Sequence, residues 1–466
     1  MKDNINVLHI TIVVALGGLL FGYDTAVISG ATGSLTEFFG LSAAELGFAA
    51  SSALVGCVIG AIVAGQLSNS MGRRGSLKIA ATLFLISAIG TALPDSYWIF
   101  VFFRIIGGIG VGIASMVSPM YIAEVAPPNK RGALVSCNQF AIIFGMLVVY
   151  FVNYGIALAG TEVWLNTVGW RYMFASECIP ALLFLTLLFT VPETPRWLAL
   201  KGRELEARSL LSALNKHRNI EDQWKGIQAS LNDTKGKVSI AAVGMMGVLA
   251  IGIMLSVLQQ VTGINVFLYY APEIFKSFSD SSTDTALLQT ILVGVVNLTF
   301  TVVAIFTVDK FGRRPLMMIG AGAMAISMIA IGTAAYTNAI GGYLLFFVLL
   351  YIAAFALSLG PVTWVLLSEI FPNSIRSKAL SIAVFAQWSA NFMVSQTFPM
   401  MNDSNGYLFQ TYNGGFPFWL YGIFGLFTVY FVWKFVPETK GKSLEELEQT
   451  WATRHNTASV RKAELR

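Results

Sequence analysis

Residues 67–75 read LSNSMGRRG and residues 307–315 read TVDKFGRRP, so one Gly-Arg-Arg motif occurs twice in the chain. The two glycines before the arginine pairs lie 240 residues apart, and two further motifs recur in the same order 245 residues apart. Such self-similarity at a fixed offset indicates an internal duplication. The further motifs are EVAPPNKR at 124–131 with EIFPNSIR at 369–376, and Pro-Glu-Thr at 192–194 with Pro-Glu-Thr at 437–439.

The composition places both copies in a membrane. Of 466 residues, 55% are hydrophobic and only 12% are charged, whereas about a quarter of a soluble protein is charged. Apolar runs of about 20 residues, the length that crosses a bilayer, number twelve, six in each copy. They lie near 8–30, 46–69, 77–93, 98–123, 133–158, 171–191, 240–270, 286–308, 315–335, 342–368, 378–400 and 414–436.

We therefore predict an all-α membrane protein, with twelve transmembrane helices in two pseudo-symmetric six-helix bundles. Duplicated membrane halves are typical of secondary transporters, which hold their substrate at the repeat interface. The expected domains are a first bundle at 1–191, a cytoplasmic helical linker at 192–239, a second bundle at 240–436 and a cytoplasmic tail at 437–466.

The basic residues predict the orientation. Of 30 Lys and Arg residues, only Arg104, Arg171 and Lys276 fall well inside a span or on an odd-numbered loop. The other 27 lie at the N-terminus, on the even-numbered loops, in the C-terminal tail or at the span edges next to them. Since positive charges mark cytoplasmic loops, we expect both termini in the cytoplasm and the protein in the cytoplasmic membrane. The net charge of +5 reflects this bias and is no sign of nucleic-acid binding. The three cysteines lie in or beside spans and show neither a disulfide pattern nor a metal-ligand spacing.

Charged residues recur together at the cytoplasmic helix ends. Arginine binds carboxylates through a planar fork of donors, so each copy is predicted to carry a charge network that closes this face in one state and breaks in the other. The alternative is that these charges only set the topology. The predicted members are Arg73, Arg74, Glu124 and Arg131 in the first copy, and Arg313, Arg314, Glu369 and Arg376 in the second.

Asp24, Arg104 and Glu177 are charged residues that lie away from the ends of predicted spans. Charges at such depth are costly and usually functional, and a count along the helices at about 1.5 Å per residue puts all three at one level. An Asp24–Arg104 pair predicts a proton switch, because a buried carboxylate that loses its guanidinium partner favours the protonated form. The alternative is a static ion pair that fixes spans one and four.

Glycine and proline predict irregular points in several spans. We expect Gly263 to interrupt span seven, Pro272 to end it, and Gly360-Pro361 to interrupt span ten, since broken helices are tolerated where they line a cavity. Glycines 107, 108, 110 and 112 of span four are predicted to let helices approach closely.

Primary amides and tryptophans indicate the ligand. Each amide offers two donors and an acceptor oxygen, and indole faces pack against C–H groups, so together they suit an uncharged polyhydroxylated ring such as a sugar. A lone amide is more often a link between helices, but here several lie at membrane depth, mostly in the second copy. They are Gln139, Gln259, Gln260, Asn265, Asn297, Gln387 and Asn391, accompanied by Trp364 and Trp388.

Motifs along nearly the whole chain resemble the sugar porter family of the major facilitator superfamily. They are GRR, PETPRWL at 192–198, QQVTGIN at 259–265, GPVTWVLLSEIFP at 360–372 and PETKG at 437–441. Within that family the chain looks most like bacterial D-xylose–proton symporters, through GGLLFGYDTAVISG at 17–30, RIIGGIGVGIASM at 104–116, NQFAIIFG at 138–145, GWRYMFASECIPALLF at 169–184 and FVPETKGKSLEELE at 435–448.

The resemblance implies alternating access, with Asp24 and Arg104 in proton coupling. It also implies sugar binding by Gln139, Gln259, Gln260, Asn265, Trp364, Gln387 and Trp388, with Tyr269 and Asn297 nearby. Two positions depart from the xylose symporters: Met146 stands where they have Gln, and Phe267 is bulkier than their aliphatic residue. D-xylose is therefore the first choice, and glucose and arabinose stay open.

The expected function is monosaccharide import by proton symport, with the monosaccharide and the lipid bilayer as partners. No cofactor is expected besides protons as the coupling ion, and no nucleic acid or obligate protein partner. A passive facilitator remains an alternative, and a non-transporting sugar sensor is a further one. An enzyme is disfavoured, because the sequence shows no nucleophile–base pair, phosphate loop or metal cluster.

Overall fold

The computed structural model describes seven stretches of the chain, and their regular structure is helical. The described residues are 6–127, 131–214, 220–233, 245–279, 282–339, 341–371 and 376–440. The helices of the first copy are α1 Val7–Val27, α2 Thr32–Phe39, α3 Ala43–Ala92, α4 Tyr97–Val125, α5 Arg131–Ala157, α6 Glu162–Trp164, α7 Trp170–Ala175 and α8 Cys178–Leu187.

A linker and a second copy follow. The linker helices are α9 Pro195–Leu200, α10 Glu204–Leu214 and α11 Ile220–Asp233. The helices of the second copy are α12 Met245–Val261, α13 Ile264–Ser279, α14 Thr283–Phe311, α15 Arg313–Tyr336, α16 Tyr343–Leu357, α17 Leu359–Ile370, α18 Arg376–Met401, α19 Tyr407–Tyr412 and α20 Phe416–Phe435.

The described helices supply twelve membrane crossings, as the sequence predicted. Nine helical segments are long and apolar enough to span a bilayer. One of them, α3, has 50 residues, or about 75 Å at 1.5 Å per residue. It holds two spans, because its backbone breaks at Gly72, where φ is 88° and ψ is 170°. The pair α7–α8 forms span six, and the 26-residue α18, rich in polar side chains, forms span eleven.

Two crossings of the second copy are broken, although not everywhere that the sequence predicted. Gly263, with φ 95°, separates α12 from α13 as expected. Pro272 does not end α13 but lies inside it. In span ten the break falls at Ser358, with φ −125° and ψ −94°, rather than at Gly360-Pro361. Pro361 lies in the first turn of α17, where a missing N–H costs no helical hydrogen bond.

Small residues let the helices of the first copy touch through their backbones. A Cβ on Gly108 of α4 would lie 1.8 Å from the Ala53 carbonyl oxygen of α3, and one on Gly112 would lie 2.4 Å from that of Cys57. Contacts this close need glycine, and helix pairs in lipid associate largely through such packing. The glycine-rich stretch of span four therefore has the role that the sequence predicted.

The linker forms short amphipathic helices. Ala207, Leu210, Leu211 and Leu214 of α10 are buried, so this helix has one apolar face that packs inward. The indole of Trp224 on α11 is also buried and lies against the Arg208 guanidinium, whose Cζ is 5.0 Å from the ring centroid.

The chain divides into two compact units. The first comprises Met1–Lys235, Leu268–Ser277 and Ser281–Gly294, and the second comprises Gly236–Phe267, Phe278–Asp280 and Val295–Arg466. The predicted domain boundaries stay a prediction. Residues 441–466 of the predicted tail lie outside the described residues.

Candidate functional site

A buried ion pair joins α1 and α4 in the first unit. Nη1 of Arg104 lies 3.0 Å from Oδ1 of Asp24, and it also donates a 3.0 Å hydrogen bond to the Asp24 backbone carbonyl. Both side chains are 1% exposed. The Phe174 ring lies beside the guanidinium, with its centroid 5.8 Å from Cζ. Because a buried charge without its partner is strongly destabilising, removing the charge of either residue would destabilise the other.

Glu177 lies beside this ion pair. Its side chain is buried and interacts electrostatically with both Asp24 and Arg104. Oδ2 of Asp24 and Oε1 of Glu177 are buried, and the two carboxyl groups are near enough to share a hydrogen bond when one of them is protonated. Two ionised carboxylates would repel each other, whereas a proton on one carboxyl group removes the repulsion. The cluster sets two carboxyl groups against one guanidinium, which is suited to holding one proton.

Gln259 of α12 is the centre of a hydrogen-bonded group of amides in the second unit. Its Nε2 donates to the backbone carbonyls of Leu359 and Gly360, at 2.8 Å and 3.1 Å. Its Oε1 accepts from Nε2 of Gln387 at 2.9 Å and from Nε2 of Gln260 at 3.2 Å. The full hydrogen-bonding capacity of this amide is therefore used, and it ties α18 and the first turn of α17 to α12.

The helix break at Gly263 extends this amide group. Nδ2 of Asn265, in the first turn after the break, donates to Oε1 of Gln260 at 2.6 Å. The Tyr351 hydroxyl donates to the Thr262 carbonyl at 2.8 Å, so the interrupted backbone keeps a hydrogen-bond partner. The break thereby fixes the orientation of amides that a continuous helix would place differently.

The amide group has the chemistry that a hydroxylated ligand needs. Oε1 of Gln387 is buried and has no hydrogen-bond partner among the described residues. Such an acceptor costs about 1–3 kcal/mol when unsatisfied, and a ligand hydroxyl would satisfy it. Trp388 follows on the same helix and is 7% exposed, whereas Trp364 of α17 is 40% exposed.

The remaining predicted ligand residues are placed as follows. Asn297 of α14 is buried, and Asn391 of α18 accepts a 3.0 Å hydrogen bond from the Ser395 hydroxyl. Gln139 of α5 is half-buried and Tyr269 of α13 is buried, and both belong to the first unit. The structure thus brings four predicted residues into one hydrogen-bonded group, and the roles of all of them stay predictions. The four are Gln259, Gln260, Asn265 and Gln387.

The first charge network lies at the Gly72 break. Arg73 forms a two-pronged pair with Glu124, with Nη2 2.8 Å from Oε1 and Nε 3.0 Å from Oε2. The Thr194 hydroxyl donates to the same carboxylate at 2.5 Å. Glu193 accepts the backbone N–H groups of Arg73 and Arg74, at 2.9 Å and 3.1 Å. Its carboxylate therefore caps the helix that restarts after Gly72, where negative charge is favoured.

The second charge network repeats this geometry. Nη2 of Arg313 lies 3.0 Å from Oε1 of Glu369, and the Thr439 hydroxyl donates to Oε2 of Glu369 at 2.5 Å. Glu438 accepts the backbone N–H groups of Arg313 and Arg314, at 3.1 Å and 3.0 Å. The capped helix again begins after a glycine with positive φ, Gly312 at 89°.

The second arginine of each Gly-Arg-Arg motif differs from the prediction. The Arg74 and Arg314 side chains donate to the backbone carbonyls of Val191 and Trp433 and form no ion pair with a carboxylate among the described residues. The side chains of Arg131 and Arg376 lie outside the described residues. The sequence interpretation also missed the Pro-Glu-Thr residues, although the recurrence of that motif was their signal. They are Glu193, Thr194, Glu438 and Thr439.

The capping glutamates of the two networks differ in their electrostatics. Burial raises the pKa of Glu193, and the N–H donors around it lower the pKa only in part. Burial also acts to raise the pKa of Glu438, but N–H donors from four residues outweigh it and leave that pKa below its usual value. The ionised form of Glu193 in the first network is therefore less stabilised than the ionised form of Glu438 in the second.

The duplicated twelve-helix fold, with a buried ion pair in one unit and a hydrogen-bonded amide group in the other, is that of a membrane transporter. The chain matches the family described as "Sugar (and other) transporter" over residues 10–451, and it belongs to that family.

Two relatives and a solved structure resemble the chain over nearly its full length. It is 57% identical to the D-xylose-proton symporter of Escherichia coli (strain K12), over 96% of each protein. It is 42% identical to the arabinose-proton symporter of Bacillus subtilis (strain 168), over 96% of this chain and 95% of that one. The inward-open conformation of the xylose transporter XylE from E. coli superposes with a TM-score of 0.84 at 54% identity, covering 96% of this chain and all of that one. The predicted family and fold are confirmed.

Proposed function

We propose that this protein imports a monosaccharide, D-xylose in the first place, together with protons. The two relatives described above are named as proton symporters of pentoses, and the one named for xylose has the higher identity. Met146, buried in α5, is the residue whose thioether cannot donate a hydrogen bond to a sugar. It makes glucose and arabinose the competitors to test.

The buried Asp24–Arg104 pair is the main support for proton coupling. While Asp24 is ionised, its carboxylate holds Arg104 at 3.0 Å. A proton on Asp24 removes that attraction, and the guanidinium keeps its hydrogen bond to the Asp24 carbonyl and its contact with Phe174. Protonation therefore weakens the interaction between α1 and α4 while the Arg104 guanidinium keeps other partners. The sugar-loaded carrier is then free to reorient. Glu177 serves as the second carboxyl group that shares the proton.

The amide group of the second unit supplies the sugar contacts in this proposal. A pentose has hydroxyls that donate to an oxygen such as Oε1 of Gln387, and its C–H faces pack on the Trp388 ring. Because these amides carry no charge, binding does not compete with the proton site electrostatically. Gln139 and Tyr269 are also proposed to contact the sugar.

We further propose that the protein resides in the cytoplasmic membrane of a bacterium, with both termini in the cytoplasm. The relatives are bacterial, and the asymmetric distribution of Lys and Arg favours this orientation. Both charge networks then lie on the cytoplasmic face, where the pairs of Arg73 with Glu124 and Arg313 with Glu369 would break during reorientation.

Asp24→Asn tests the coupling. The variant is compared with the wild type and with Asp95→Asn, which removes an equal charge from an exposed ion pair with Arg171. In proteoliposomes, equilibrium exchange of labelled D-xylose reports on the carrier, and accumulation under an imposed inward proton gradient reports on coupling. We expect Asp24→Asn to keep exchange and lose accumulation, and Asp95→Asn to keep both. Uphill accumulation by Asp24→Asn would contradict the proposal.

A further inference from the structure

A cavity of about 1010 Å³ lies within the first unit, between α3, the segment after α8 and the linker helices α9 and α10. Three basic residues line it, Arg74, Lys78 and Arg203, and two acidic ones, Glu193 and Glu206. It is separate from the buried ion pair and from the amide group. On the proposed topology it faces the cytoplasm.

The carboxylates of this cavity are already engaged. Glu193 accepts backbone N–H groups of Arg73, Arg74 and Thr194. Both oxygens of Glu206 are paired with the Arg203 guanidinium, at 2.7 Å and 2.6 Å. The anionic groups on the wall are therefore committed to partners within the protein.

Two cations of the cavity lack such a partner. The Arg74 guanidinium donates to the Val191 carbonyl, and the Lys78 ammonium lies 3.5 Å from the centroid of the Phe189 ring. Neither lies within ion-pair distance of a carboxylate among the described residues. The two cations are also close enough to repel each other. A bound anion would remove this repulsion.

The duplication shows that the fold does not require the second cation. Arg74 corresponds to Arg314 of the second copy, at the offset of 240 residues that relates the Gly-Arg-Arg motifs, but Lys78 corresponds to Met318. A methionine at that position supports the same helix. Lys78 is therefore specific to the first copy, and the helix of this copy lines the cavity.

We propose that this cavity binds a phosphate monoester. The guanidinium of Arg74 and the ammonium of Lys78 together match the charge of a phosphate monoester, which is about −1.5 to −2 at neutral pH, and guanidinium geometry suits phosphate oxygens. Ser209 and Ser212 add hydroxyl groups to the wall. The volume holds a group well beyond the phosphate itself, such as a sugar ring or a glycerol backbone. The phosphate comes either from a soluble sugar phosphate or from a lipid headgroup.

Lys78→Met tests the proposal, because it installs the residue of the second copy. The control is Lys225→Met, which removes an equal charge from an exposed lysine of α11 that does not line the cavity. The proteins are purified at full length in nanodiscs of neutral phosphatidylcholine. Binding of D-glucose 6-phosphate is measured by calorimetry, with D-glucose in the reference titration to subtract binding at the transport site. A second arm measures phosphatidic acid, a lipid phosphate monoester, retained in detergent by native mass spectrometry.

We expect one arm to show binding. Lys78→Met should weaken this binding about 10- to 100-fold, because one charged hydrogen bond is lost. Lys225→Met should leave it unchanged. A response to glucose 6-phosphate identifies a soluble ester, and a response confined to phosphatidic acid identifies a lipid phosphate monoester. Thermal unfolding of the ligand-free Lys78→Met protein at the wild-type temperature verifies its fold. Equal binding by Lys78→Met and wild type in both arms, or no binding in either, overturns the proposal. Because the readout is binding of a phosphate and not transport, it fails or succeeds independently of the proposed function.

Discussion

Replacing Gln387 by leucine tests whether this side chain contacts the ligand or only links two helices. In the structure Nε2 of Gln387 donates a single hydrogen bond, to Gln259, and its Oε1 is a buried acceptor without a partner in the described part of the chain. The lost hydrogen bond costs about 0.5–1.5 kcal/mol, and removal of the unsatisfied acceptor returns about 1–3 kcal/mol. Gln387→Leu is therefore expected to be as stable as the wild type, or more stable. If Oε1 binds a sugar hydroxyl, xylose affinity falls by the value of that hydrogen bond, roughly 2- to 12-fold at 1.4 kcal/mol per factor of ten.

The assay measures the thermal unfolding of the ligand-free protein and the dissociation constant of D-xylose from one preparation. Gln259→Leu is the comparison, because it leaves the Nε2 groups of Gln260 and Gln387 without their acceptor. At about 1–3 kcal/mol for each stranded donor, this variant is expected to unfold at a clearly lower temperature. A Gln387→Leu protein that is strongly destabilised but binds xylose normally would refute the reasoning and make Gln387 a link between helices.

Two matched pairs of variants test the networks and the packing. The pKa of Glu193 is raised and that of Glu438 is lowered. The stability that Glu193 contributes is therefore present at acidic pH and lost as pH rises through its folded pKa. The stability that Glu438 contributes is present at neutral pH and lost as pH falls through the folded pKa of Glu438. Glu438→Gln should therefore lower the melting temperature at pH 7.5 more than Glu193→Gln, and the reverse order would contradict the difference between the copies. Gly108→Ala places a Cβ 1.8 Å from a carbonyl oxygen and should cost about 1–3 kcal/mol by overpacking. Gly65→Ala, with open space around it, should leave the melting temperature unchanged, and equal effects of the two would argue against the close helix contact.

The duplication made much of the fold predictable from the sequence. Spans of adequate length and hydropathy, and motifs at a constant offset, gave the twelve crossings. Depth along the helices put Asp24, Arg104 and Glu177 at one level, and the structure has them in one cluster. These features depend on periodicity and length, which a single sequence carries.

The details of hydrogen bonding were less accessible. The Glu193 carboxylate reaches backbone N–H groups more than a hundred residues away, so only the recurrence of its motif hinted at a role. The break of span ten at Ser358 was misassigned to Gly360-Pro361 because a proline is also accommodated in the first turn of a helix. The sequence grouped the amides by depth, but their donors and acceptors depend on helix rotation, which the sequence leaves open.

The most direct test of the account is labelled D-xylose uptake by the wild-type protein in proteoliposomes, with and without an imposed inward proton gradient. Unlabelled D-glucose and L-arabinose serve as competitors. The account predicts accumulation above the external concentration only when the gradient is present, with both competitors weaker than xylose. Equilibration to the external concentration regardless of the gradient would contradict proton coupling, and it would leave Asp24 and Arg104 a structural pair in a passive facilitator.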